Sequence, residues 1–196
     1  SGSARGARYL YEITAYQPQT REIETARVTD PYSVALTLDS TRSVAVDLDD
    51  RRYQPAAWRN SVSPKLARGV DSTIYELHVR DFSVNDKTVP AGHRGSYLAF
   101  ADTKSDGRRH LEALAKAGMN TVHLLPTFDI ASIPEDPANQ QQPDCDLGSY
   151  APDSEEQQAC VTAVADKDAV NWGYDPWHWM TPEGPYAASA AQAHRG

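Results

Sequence analysis

The sequence predicts a chain in two parts: strands from the end of an antiparallel β-sandwich, then a strand–helix–strand unit from a parallel α/β sheet. Three observations predict this. Short runs of alternating apolar and polar residues, broken by turn signals, fill residues 8 to 48. Prolines and scattered charge without a period fill residues 49 to 70. From residue 72 the apolar residues fall on both faces of short runs, and a helical stretch separates two of these runs.

Each element has its own signal. "RYLYEITAY" places Tyr9, Tyr11 and Ile13 on one face, and "QPQTRE" then breaks the pattern. "IETARVT" reads as a second strand, "VALTL" as a third and "SVAVDLD" as a fourth, the last with Val44, Val46 and Leu48 on one side. "DPYS" and "DSTR" supply the turns between them. Four strands are few for a whole sandwich, so residues 1–48 read as the end of one. Residues 49–70 read as a linker pinned by Trp58. "STIYELHVRDF" is a buried strand with Ile74, Tyr75, Leu77 and Val79 on both faces. "SDGRRHLEALAKAGMN" is a helix: Ser105 or Asp106 caps it, Leu111, Leu114 and Ala115 form its stripe, and Gly118 stands at the C′ position. "TVHLLP" is a second buried strand that Pro126 stops, giving a right-handed βαβ unit. A short helix is expected around "GSYLAF", and another from Ser154 to Ala165 with Ser154 and Gln157 at capping-box spacing.

Composition narrows the function classes. With 19 basic against 27 acidic residues the net charge is −8, and no basic patch marks a nucleic-acid footprint. No apolar run reaches the length of roughly 20 residues that a membrane-spanning helix needs. The chain opens without the charged-then-apolar pattern of a signal peptide. Its two cysteines, Cys145 and Cys160, match no zinc spacing. They are either two reduced thiols or a disulfide that fastens the polar loop between them, which would place the protein in an oxidising compartment.

Candidate chemistry concentrates in "NWGYDPWHWMTPEGPY", residues 171 to 186, which holds three of the four tryptophans. Its prolines and glycines predict an irregular segment. In α/β sheets ligands meet the C-terminal ends of strands, and this segment follows the second strand. Tryptophan and tyrosine rings pack flat on the C–H faces of sugars, while carboxylates and amides bind their hydroxyls. Asn171, Trp172, Tyr174, Asp175, Trp177, His178 and Trp179 offer that mixture, and a loop folded on its own aromatics would look the same. His78 and His123 read as hydrogen-bonding residues within strands, and His93 as a loop residue.

Four motifs in order, "YELHVRDFS" (75–83), "HLLPTFDI" (123–130), "NWGYDP" (171–176) and "PEGPYA" (182–187), resemble the pullulanase-type debranching enzymes of glycoside hydrolase family 13, the α-amylase clan. The resemblance runs from about residue 8 to 187, and "VTDPYSVAL…STRSVAVDLDD" resembles the end of the β-sandwich module that precedes the catalytic barrel in that family. It implies a multi-domain fragment: residues 1–48 as the last strands of a carbohydrate-binding-module-like sandwich, 49–70 as linker, and 71–196 as the first part of a (β/α)8 TIM barrel with a long loop after its second strand. The implied activity is hydrolysis of α-1,6 linkages in pullulan, starch or glycogen with retention of configuration, by two carboxylates about 5 Å apart.

In the family those carboxylates follow the fourth and fifth barrel strands, and the motif of the third strand, Asp-Val-Val-x-Asn-His, is absent here. The sequence therefore names no catalytic residue, and Glu76, Asp81 and Asp129 are not nominated instead; the chain alone is expected to be inactive. The resemblance implies that Tyr174 stacks under the sugar before the scissile bond, that Asp175 organises that subsite, and that Asn171 and Trp172 shape the turn, with Trp177 and His178 beside them. Trp179 stands where the family more often has tyrosine, and the tail "ASAAQAHRG" departs from the family pattern. Calcium is a ligand implied by the family, with no residues placed for it. The implied partners are pullulan, starch and maltooligosaccharides, with self-association through an open barrel edge, in an extracellular setting. The alternatives are a non-catalytic α-glucan-binding protein and an isoamylase- or branching-type relative.

Overall fold

The computed structural model describes residues 4–169 and 172–188. Among the described residues, eight strands form four two-stranded sheets. β1 (Arg8–Tyr9) pairs antiparallel with β4 (Ser43–Val44), and β2 (Tyr11–Gln17) forms a hairpin with β3 (Glu22–Val28). β5 (Ile74–Leu77) and β6 (Thr121–Leu124) run parallel, and β7 (Phe128–Ile130) pairs antiparallel with β8 (Pro176–Pro182). The helices are α1 (Asp106–Lys116) and α2 (Glu156–Thr162). No barrel closes among the described residues.

Alternation builds the hairpin as expected. One face carries Tyr11, Ile13 and Ala15 opposite Val28 and Ala26. The other carries the Glu12–Arg27 ion pair and a Thr14–Thr25 hydroxyl contact of 2.8 Å. Cross-strand pairs of this kind set register, because a slip by one residue would exchange the two faces.

The segment after the hairpin corrects the expectation of two further full strands. "VALTL" contributes one isolated bridge, Leu36 to Ser43, and a 3-10 turn at Leu38–Ser40; "SVAVDLD" is a strand only at Ser43–Val44. Local polar groups take the backbone bonds that a sheet would use. Thr37 Oγ1 accepts from the Arg42 N–H at 3.0 Å, and Asp39 and Ser40 both adopt φ 51°, outside any strand conformation. Trp58, expected to pin the stretch 49–70, is 64% exposed, so most of its surface lies in solvent.

The βαβ unit forms where its local signals place it. Ser105 Oγ accepts from the Arg108 N–H, and Gly118 takes φ +105° just past the helix end. Tyr75 of β5 meets His110 of α1 edge to face, with centroids 5.7 Å apart. The two strands were expected to be buried, yet Ile74 is 58% and Val122 47% exposed. Among the described residues each has one strand neighbour, so much of its surface is uncovered. The expected turn around "GSYLAF" is the 3-10 helix Tyr97–Ala101, whose Phe100 stacks on Phe82 at 4.3 Å. The helix expected over 154–165 is shorter, and Glu155, not Ser154, stands at its N-cap position, with no side-chain cap bond. Cys145 and Cys160 are joined by a disulfide that ties this helix back to the polar loop.

The core is small. Val79, Ile130, Ile133 and Tyr186 are buried together, with Tyr97, Phe100 and Phe128 packed against them. Tyr186 Oη lies 3.1 Å from His78 Nε2, and Tyr97 Oη donates to the Thr127 carbonyl at 3.2 Å. The core thus joins the exit of β5, strand β7 and the turn after β8, beneath the aromatic segment.

Candidate carbohydrate-binding site

The aromatic segment is more ordered than its composition suggests. From Pro176 to Pro182 it is the strand β8, a correction to the irregular loop expected there. The prolines stand at the two ends, and among the described residues β8 pairs on one side only, so little of the ladder is lost to them. Trp177 and Trp179 point outward, 51% and 68% exposed, while His178 between them is buried. Trp179 leans on Phe128 with centroids 4.8 Å apart.

The turn before β8 presents the remaining aromatics. Gly173 has φ +84°, and a Cβ there would stand 3.0 Å from Pro126 Cβ and 3.1 Å from Ile130 Cδ1. Only glycine lets the chain lie this close to the end of β6 and to β7. The Ala131 N–H donates to the Asp175 carbonyl at 3.0 Å, which fixes the other end of the turn. Trp172 and Tyr174 are left standing in solvent, 71% and 69% exposed. Exposed rings on a fixed turn suit a flat apolar ligand face. Asn171 lies outside the described residues.

His178 was expected among the ligand contacts, and its surroundings give it another task. Nδ1 lies 2.6 Å from Asp129 Oδ2 and Nε2 lies 2.7 Å from Thr29 Oγ1. Both ring nitrogens are therefore committed inside the protein, at 2% exposure. Asp129 also accepts from Ser40 Oγ, 2.8 Å from each carboxylate oxygen. Thr181 Oγ1 donates to the Ser33 carbonyl at 2.8 Å, and Glu135 exchanges two bonds with Asp39: Asp39 N–H to Oε2, 2.6 Å, and Glu135 N–H to Asp39 Oδ1, 3.0 Å. These contacts weld the segment 29–40 to β7 and β8.

Beside the weld lies a hollow of about 290 Å³, walled by Asp39, Asp129, Glu135, Asp166 and Trp177. Burial pushes the Glu135 carboxyl up to about 7, with the charges of Asp129 and Asp39 adding to it. Burial pushes Glu183 further, to about 9, helped by Asp129, Glu135 and Asp175. Among the described residues no group of three or more His, Cys, Asp or Glu side chains could hold a metal ion, so no residue here is assigned to calcium. Glu76 pairs with His123 at 3.0 Å on the open face of the parallel pair, and Asp81 with Arg80 at 2.8 Å, both largely exposed. His93 sits at the end of a 3-10 turn, 2.9 Å from Asp102.

The buried acids Asp129, Glu135 and Glu183 were not singled out as site residues from sequence. One signal was available: a carboxylate inside the apolar run Phe128–Asp129–Ile130 must be buried with a partner.

No family model matches the chain. Pullulanase 1, chloroplastic, of Arabidopsis thaliana is 41% identical over 186 residues, covering 93% of this chain and 19% of that protein. The pullulanase of Klebsiella pneumoniae is 38% identical, covering 93% of this chain and 20% of its own length. Among solved structures, K. pneumoniae pullulanase complexed with maltotriose superposes with a TM-score of 0.85 at 34% identity, covering 95% of this chain and 21% of that one. The pullulanase of Bacillus acidopullulyticus gives 0.71 at 29% identity, covering 99% and 20%. The chain thus spans about one fifth of the length of the relatives it matches. Across the stretch it spans, the chain is homologous to the pullulanases.

Proposed function

We propose that this chain is the glucan-contacting front part of a pullulanase-type glycoside hydrolase that cleaves α-1,6 linkages with retention, and that it binds α-glucan without cleaving it when alone. The observation that carries the reading is the fixed turn that holds Tyr174 and Trp172 out in solvent beside the end of β6. In this reading Tyr174 stacks on a glucose ring and the Asp175 side chain braces the turn. Trp177 offers a second ring on the same strand system, and Asn171 is proposed as a further glucan contact.

The maltotriose complex of the Klebsiella relative supports a malto-oligosaccharide as ligand. Residues 1–48 are proposed as the closing strands of a β-sandwich, 49–70 as linker and 71–196 as the opening of a (β/α)8 barrel. The disulfide supports an oxidising, extracellular setting. Calorimetric titration with maltotriose tests the binding. Weak saturable heat that disappears in Tyr174→Ala is expected, and indifference of the wild-type chain to glucans would overturn the reading. Release of reducing ends from pullulan by the purified chain would overturn the claim that it is inactive alone.

A further inference from the structure

Three side-chain oxygens are buried without a hydrogen-bond partner among the described residues, and two of them, Asp175 Oδ1 and Glu183 Oε1, belong to carboxyl groups flanking the same strand, β8. The two residues grip consecutive positions at the end of β7. Glu183 Oε2 accepts from the Ile130 N–H at 2.6 Å, and the Asp175 carbonyl accepts from the next amide, Ala131, at 3.0 Å. The Glu183 N–H is spent on the Thr127 carbonyl, 2.9 Å away. Glu183 is 1% exposed and forms no ion pair among the described residues. An ionised carboxylate there would sit in the interior with one donor and no counter-charge, which is strongly unfavourable. A neutral acid changes both facts at once: it removes the charge and supplies an O–H where two oxygens lack a donor.

We infer that Glu183 is held as the neutral acid and that its O–H donates to Asp175 Oδ1, so that one proton fastens the Tyr174 turn to the turn after β8. The groups that face Glu183 all favour its proton. Asp129 comes from β7, Glu135 from the segment after it, and Asp175 from the turn before β8. Tyr97 and Tyr186 close the remaining sides with hydroxyls that burial, and then the Glu183 charge, push upward. Glu183 is a positioning residue in this arrangement, acting on Tyr174 through Asp175. That Tyr174 meets a glucan rests on the function proposed above; the proton does not.

The test is infrared spectroscopy of the whole chain near pH 8, between the Glu135 value of about 7 and the Glu183 value of about 9. A protonated-carboxyl C=O band is expected there, lost in Glu183→Gln and shifted in Asp175→Asn. Glu183→Gln, which keeps a donor in place without a titrating proton, should retain the wild-type melting temperature in mild acid. It should also abolish the alkaline fall in melting temperature and in maltotriose affinity, while Glu183→Ala melts lower at every pH. Absence of the band from wild type, or a Gln variant no more stable than the Ala variant, would overturn the inference. A wild-type band in a chain that binds no maltotriose would sink the functional reading and leave the proton standing.

Discussion

His178 and Asp129 face each other across the β7–β8 pair with Nδ1 2.6 Å from Oδ2, and both side chains are almost wholly buried, 2% and 3% exposed. Removing the imidazole by His178→Ala would leave a buried carboxylate with Ser40 as its main donor. Breaking a buried pair from one side costs roughly 3–5 kcal/mol. We expect that loss in urea unfolding, with a smaller one for Ser40→Ala, whose hydroxyl makes two of the bonds to Asp129.

Stability should fall as pH rises from mild acid to about 9. Glu135 and Glu183 titrate from 4.5 in the unfolded chain to about 7 and about 9 in the fold. The folded state therefore holds more protons than the unfolded one in that window, and stability declines with pH by linkage. Their contribution is complete below the unfolded value and is lost through the folded values. Melting temperatures from pH 5 to 9 check this, and Glu135→Gln should flatten the part of the slope that ends near 7. A melting temperature that climbed steadily across the window would contradict the assignment.

Gly173→Ala should damage the turn more than the chain as a whole. The left-handed φ of +84° disfavours any Cβ by about 1–2 kcal/mol, and Pro126 and Ile130 already occupy the space it needs. The expected result is a modest drop in melting temperature with a large drop in maltotriose affinity, read by tryptophan fluorescence. An alanine variant that binds like wild type would separate the turn from the glucan.

Reduction of the Cys145–Cys160 bond should lower stability through the unfolded chain. The bond closes a loop with a sequence separation of 15, for which chain entropy gives about 3 kcal/mol. Thermal unfolding with and without reductant measures it, and Cys145→Ser should match the reduced protein. The strain-free comparison is Cys145→Ser against Cys160→Ser, which should agree.

The parts legible from sequence were those fixed by neighbours along the chain. Ser105, the Leu111–Leu114 stripe and Gly118 define α1 by local rules, and the β2–β3 hairpin follows from alternation. Tyr174 was singled out through its motif, whereas Gly173, whose φ of +84° shapes the turn, was not. Strand β7, with only three residues, carries too short a pattern to be read, and without it β8 looked irregular. The role of His178 was out of reach for a different reason: its partners Thr29 and Asp129 lie 149 and 49 residues away, and no periodicity links such positions. The exposure of Ile74 and Val122 shows the converse, since an apolar run reports what a strand can bury, and the neighbours present decide what it does bury.

The weld between residues 29–40 and the β7–β8 pair changes what the stretch 49–70 has to do. Four residue pairs, Thr29–His178, Ser33–Thr181, Asp39–Glu135 and Ser40–Asp129, already clasp the parts of the chain on either side of that stretch together. The exposed prolines and arginines between them are then a leash on pieces that hold hands without it. A protease that nicks the chain near Trp58 would give two bands under denaturing conditions and one particle in native solution.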